Sequence, residues 1–161
     1  MRWLNLLLLL PMFGACSTTA PDESRSAASH TVLFLCPYGG AKSVIAASYF
    51  NRLAQERALP WVAIAASAEE PYPAVPAPVA DFLERDGIDV RSFKPRHFEA
   101  VDVQQAARVV SIDCDLAAAH LDAASVERWD DVPKVSEDLP ASAAAIRRHV
   151  EALAEELRGR H

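Results

Sequence analysis

The sequence predicts an α/β domain: a parallel sheet covered by helices on both faces. Three observations carry this. Thr31-Val32-Leu33-Phe34-Leu35 is an unbroken β-branched and apolar run, the pattern of a strand buried on both faces. Strand patterns then alternate with helical ones along the chain, as a parallel sheet requires. Finally, Ala143, Ile146, Val150, Leu153 and Leu157 recur at helical spacing near the end, marking a long amphipathic helix.

The elements follow in order. Met1-Arg2-Trp3 gives a short positive start, Leu6 to Leu10 is a leucine run, and Phe13-Gly14-Ala15-Cys16 ends in small residues before a cysteine. An apolar stretch this short cannot cross roughly 30 Å of hydrocarbon, which takes about 20 residues. Residues 1–15 are therefore expected to be an export signal. The ending resembles the bacterial lipoprotein signal, which implies lipidation of Cys16, and Ser17 after it implies the periplasmic face of the outer membrane. Phe13 stands where that family usually has Leu, and an ordinary signal peptide or a later start upstream of Ser24 is the competing reading. Residues 16–30 are polar and without apolar period, the composition of a flexible tether. The folded domain is expected over 31–161.

Within it, the first strand runs into Cys36-Pro37-Tyr38-Gly39-Gly40-Ala41-Lys42-Ser43 and then into a helix from Val44 to Arg57, where Ala46, Phe50 and Leu53 share a face. Trp61 to Ala66 is the second strand. Residues 71–78 hold four prolines and must form a loop, since proline breaks ladders and helices. Val79, Phe82 and Leu83 mark a short helix stopped at Asp86-Gly87, and Arg108 to Asp113 is the third strand.

The chain carries 16 Lys and Arg against 22 Asp and Glu, a net charge of -6. No basic run is present, so nucleic acid is excluded as a partner, because displacing phosphate counterions needs a Lys/Arg stripe. Any affinity for anions must be local. The five histidines have no metal-ligand spacing, and no metal or other cofactor is expected. His97, among Lys94, Pro95 and Arg96, reads as a solvated loop residue or a source of local positive potential.

The loop between first strand and first helix is where such an affinity would reside. In parallel sheets ligands bind at the carboxyl ends of strands, where Cys36 falls. A cysteine between a strand end and a helix N-terminus meets the positive end of the helix dipole and free backbone N–H groups, which bind tetrahedral oxyanions. With the Lys42 ammonium, this field favours a nucleophilic thiolate. Gly39 and Gly40 let successive N–H groups converge on one anion, and Ser43 can cap the helix or donate to the sulfur. The alternative is a small hydrophobic cysteine packed at a strand end.

VLFLCPYGGAKSVIAASYFNRLA resembles the opening of the low-molecular-weight protein tyrosine phosphatases and of the thioredoxin-coupled arsenate reductases that share their fold. Their signature is a buried strand, Cys, five residues, Arg and Ser. ASAEEPYPAVPAPVADFLERDGIDVRSFKPRHF, ARVVSIDCD and ERWDDVPKVSEDLPASAAAIRRHVEALAEEL resemble their later segments in order. The resemblance implies a four-stranded parallel sheet flanked by helices, a three-layer sandwich. It also implies Cys36 as nucleophile toward a phosphotyrosine or similar oxyanion, Pro37 to Ala41 as the phosphate-binding turn, Lys42 as its cation and Ser43 as partner of the thiolate. Tyr38 would line the pocket mouth; Trp129 would face the pocket or pack in the core.

Three departures stand out. Lys42 replaces the family's Arg, keeping charge but losing the planar two-pronged donor. Lys134-Val135 replaces the Asp-Pro pair that supplies the general acid, a loss worth about 10²- to 10⁴-fold in rate. Asp130 or Asp131, and next Glu137 or Asp138, are the candidate replacements, or are acidic surface residues. Gly39 replaces an asparagine, and both tolerate a left-handed backbone. Arsenate reduction would need a disulfide relay. Cys114 falls near the first relay position with no cysteine after it, and reads more readily as a packed strand-end residue. The expected functions are a weakened phosphomonoester hydrolase, a non-catalytic oxyanion-binding lipoprotein or an arsenate-reductase-like protein.

Overall fold

The computed structural model describes residues 30–159, so the expected signal, Cys16 and most of the expected tether lie outside the described residues. Four strands, β1 (Thr31–Cys36), β2 (Val62–Ser67), β3 (Arg108–Ser111) and β4 (Glu127–Arg128), form one sheet in the order β2-β1-β3-β4, parallel throughout. The helices are α1 (Lys42–Glu56), α2 (Ala77–Arg85), α3 (Ala100–Gln105) and α4 (Leu139–Arg158). Among the described residues no helix is long and apolar enough to cross a membrane.

The two-sided burial of β1 follows from its central place. Val32, Phe34 and Cys36 enter the larger core with α1, α2 and α4, while Leu33 and Leu35 enter a smaller core on the opposite face. That second core is closed by Val103 of α3 and by Leu116 and Leu121 of the loop after β3. Side chains alternate across a strand, so an apolar run with no polar break is what two cores require. Burying a side chain such as Phe34 or Leu33 stabilises the fold by about 1.5–3 kcal/mol each.

The short helix ends as its sequence suggests. Gly87 has φ +77, its N–H reaches the Glu84 carbonyl at 2.8 Å and the Ile88 N–H reaches that of Leu83 at 3.0 Å, the paired bonds of a left-handed helix stop. At the start of α4, the Asp138 carboxylate accepts from the Ala141 N–H at 2.8 Å, with Pro140 in the first turn.

Several boundaries differ from the sequence reading. The strand β2 lies one residue later than expected, and α2 begins at Ala77, inside the stretch 71–78 expected to be a loop, because a proline in the first helical turn, here Pro78, gives up no helical hydrogen bond. The first helix begins at Lys42 rather than Val44, so Ser43 lies inside the first turn and does not cap it. The third strand ends at Ser111, two residues short of Asp113. Two elements carried no apolar period of their own: α3, held by a reciprocal cap between Glu99 and Asp102, and the two-residue β4.

Candidate active site

The turn from β1 to α1 is built by its carbonyls. Those of Cys36, Pro37 and Tyr38 accept from the N–H groups of Ala68, Glu69 and Tyr72 at 3.0, 2.8 and 3.0 Å. This fastens the turn to the segment after β2. The N–H groups of Tyr38 through Ser43, by contrast, have no hydrogen-bond acceptor among the described residues. Six successive donors at a helix N-terminus, with the helix dipole behind them, are able to hold an anion.

Gly39 makes the turn feasible. Its φ is +65, and a Cβ there would lie 2.8 Å from the Ser67 nitrogen and 2.9 Å from its Cβ. Only a residue without a side chain lets the loop lie this close to β2.

Cys36, 3% exposed, ends β1 at the floor of the turn. Its Sγ is 3.1 Å from the Ser43 Oγ, and Ser43 is fully buried. A hydroxyl in that position can donate to the sulfur. Lys42 is also buried, and its Nζ donates to Asp113 Oδ2 at 3.2 Å and to the Val132 carbonyl at 3.1 Å. It therefore ties the N-terminus of α1 to the loop after β3 and to the loop before α4. The ammonium is held by two protein oxygens rather than standing free for a ligand.

Above the thiol lies a cleft of about 440 Å³. One side is Pro37, Ala41 and the Tyr38 ring, which stacks on Tyr72 with centroids 4.9 Å apart. Another is Pro76, Pro78 and Val79, and a third is Lys134, Val135, Ser136 and Leu139. Mostly apolar walls over a polar floor suit a ligand with an aromatic body and an anionic end.

Asp113 completes the wall and was not singled out by its sequence context. It follows β3 by two residues, adopts φ +62, and its side chain is 58% exposed. A non-glycine residue in this region is uncommon, although Asp is among those that tolerate it. The available signal was its place just past the carboxyl end of a strand beside β1.

The four acidic residues considered in its stead are placed elsewhere. Asp130 pairs with Arg128 at 2.8 Å and Asp131 with His149 at 2.7 Å, and neither lines the cleft. Glu137 pairs with Lys134 at 3.4 Å, and Asp138 caps α4. Trp129 is a core residue, 2% exposed, tilted against Phe34 at 5.4 Å and stacked on His149 at 4.7 Å. His97 also lies off the cleft, its ring nitrogens 2.7 and 3.2 Å from the Phe98 and Ala68 carbonyls.

Cys114 packs with Leu33, Leu35 and Val126, in the core on the opposite face of the sheet from Cys36. Both thiols are free. Burial pushes the Cys114 thiol up to about 11, which leaves it unreactive.

No protein-family model matches the chain, and no curated protein matches it. Solved structures do. A low-molecular-weight protein tyrosine phosphatase from T. tengcongensis aligns with TM-score 0.70 at 18% identity, covering 80% of this chain and 99% of that one. A protein tyrosine phosphatase from Entamoeba histolytica, with Hepes in its active site, aligns with TM-score 0.70 at 15% identity over 81% and 98%. An arsenate reductase in the phosphate-binding state aligns with TM-score 0.64 at 16% identity over 79% and 98%. The fold is thus the one shared by low-molecular-weight tyrosine phosphatases and arsenate reductases.

Proposed function

We propose that the domain is a cysteine-dependent phosphomonoester hydrolase acting on aryl phosphates such as phosphotyrosine. The observation that carries this reading is a buried Cys36 Sγ, 3.1 Å from the Ser43 hydroxyl, beneath six successive N–H groups without acceptors. A phosphate seated on those donors has its phosphorus above the sulfur. The Cys36 thiolate attacks, an S–P bond forms and the aryl oxygen leaves. Water then cleaves the phosphocysteine, with Ser43 donating to the returning thiolate. Tyr38 and Tyr72 supply an aromatic wall for the leaving group. The phosphate-binding state named for one structural neighbour is consistent with an oxyanion on this fold.

A second reading, oxyanion binding with little turnover, is favoured by one observation: the Lys42 ammonium is already held by Asp113 and Val132. The burial of Cys114 on the far face speaks against a disulfide relay of the arsenate-reductase kind. Release of phenol from an aryl phosphate, compared with Cys36→Ser, separates the two readings. Equal rates would overturn the hydrolase, and a phosphate titration that leaves the melting temperature unchanged would overturn oxyanion binding too.

The same proposal places the domain outside the cytoplasm, on a lipid at Cys16, on the strength of the Leu6 to Leu10 run and the Ala15-Cys16 ending. Incorporation of labelled lipid that survives Cys16→Ala would refute the anchor.

A further inference from the structure

We propose that Asp113 is the proton donor and acceptor of the reaction, in the role for which Lys134 leaves no acid. The inference rests on the hydrolase reading. Among the described residues Asp113 is the one carboxylate on the cleft wall, and it shares that wall with the thiol, the ammonium of Lys42 and the Tyr38 ring.

The chemistry follows from the pair it makes. Without ligand, Asp113 Oδ2 accepts from Lys42 Nζ at 3.2 Å, and the two charges offset each other. A phosphate dianion arriving on the turn competes for the same ammonium. It also sets negative charge beside the carboxylate, and like charge favours protonation of an acid. The titratable groups that line the cleft with Asp113 are Lys42 from α1, Cys36 from β1, Lys134 from the loop before α4, Tyr38 from the turn after β1 and Tyr72 from the loop before α2. Substrate therefore shifts Asp113 from partner of Lys42 toward a carboxylic acid.

In the first step the Cys36 thiolate forms the S–P bond and the P–O bond to the aryl group breaks. The Asp113 proton moves to the leaving oxygen, releasing a neutral phenol and leaving a carboxylate. In the second, that carboxylate takes a proton from water, the hydroxide adds to phosphorus, and the S–P bond breaks to return the thiolate and hydrogen phosphate. Asp113 ends this step protonated, as it was when the thiolate attacked, and gives that proton to solvent when phosphate leaves and the pair with Lys42 re-forms.

The test compares two substrates in the full chain. The phenol of phenyl phosphate leaves poorly without a proton, whereas 2,4-dinitrophenolate leaves readily as an anion. Asp113→Asn, which suits the same backbone and is exposed enough to keep the fold, is expected to lower Cys36-dependent kcat on phenyl phosphate by about 10²- to 10⁴-fold. Turnover of 2,4-dinitrophenyl phosphate should fall far less. Equal losses on both substrates would overturn the proposal, since Asp113 would then only position Lys42. Undiminished turnover of phenyl phosphate would overturn it as well. Absence of Cys36-dependent turnover of even the dinitrophenyl ester would overturn the hydrolase reading, and the acid role with it.

Discussion

The Ser43 hydroxyl lies 3.1 Å from the Cys36 sulfur, with both side chains buried and seven residues apart across the turn between β1 and α1. The contact exists because α1 begins at Lys42, one residue before Ser43, and not after it. The first helical turn carries the hydroxyl inward toward the strand end, where it meets the thiol.

Removing that hydroxyl should expose its role. A hydrogen bond to a charged group is worth about 1.5–3 kcal/mol, so Ser43→Ala should slow phosphocysteine breakdown by about 10- to 100-fold. Rapid-quench kinetics would show this as a burst of phenol ahead of a slower steady state. An unchanged breakdown rate would mean that Ser43 serves only to pack.

Two glycines share a left-handed backbone but not a neighbourhood. An added Cβ at Gly87 meets nothing within 4 Å, whereas at Gly39 it lies 2.8 Å from the Ser67 backbone. Gly87→Ala should cost about 1 kcal/mol, the penalty of the left-handed conformation alone. Gly39→Ala should cost more, about 2–4 kcal/mol when a rigid overlap is added, and should weaken phosphate binding through displacement of the turn. Urea titrations of both variants would compare them directly.

Much of this site is written in the sequence. The two-face burial of β1, the placement of Cys36 at its end and the glycine-bearing turn all follow from local pattern, because apolar run, turn residues and helical period are short-range signals. The partner of Lys42 does not. Asp113 lies 71 residues further on and reaches the ammonium only because β3 packs beside β1, a pairing that periodicity does not encode. The same limit applies to the acidic cluster around Trp129: Asp130 and Asp131 are near the right loop in sequence, yet Arg128 and His149 hold them away from the cleft. Trp129 itself is drawn inward by Phe34, and its Nε1 donates to Glu127 Oε1 at 2.7 Å.

The cysteines should differ sharply in reactivity. With burial holding Cys114 at about 11, only about 0.1% of it is thiolate at pH 8. Brief treatment of the folded protein with iodoacetamide, followed by peptide mapping, should place the label on Cys36 and leave Cys114 unmodified. In denaturant both should react. Bound phosphate should protect Cys36 and leave Cys114 as it was, whereas protection of neither would argue against the anion seat above the sulfur.

Stability should fall in acid through a cluster remote from the cleft. The Tyr49 hydroxyl donates to Asp86 Oδ2 at 2.7 Å, and Arg147 pairs with the same carboxylate, joining α1 and α4 to the end of α2. The Tyr49 hydrogen bond and the Arg147 guanidinium hold the Asp86 carboxyl below its ordinary range. A carboxyl depressed in the folded state stabilises the fold above its unfolded pKa of about 4, and that stability is lost as pH falls through the lower folded value. Asp102, hydrogen-bonded to Arg96, and Asp131, hydrogen-bonded to His149, are shifted in the same direction and add to the acid limb. Asp86→Asn should therefore lower the melting temperature at pH 7 and flatten its decline below about pH 4. A variant that loses stability equally at every pH would show that Asp86 acts through shape and not through charge.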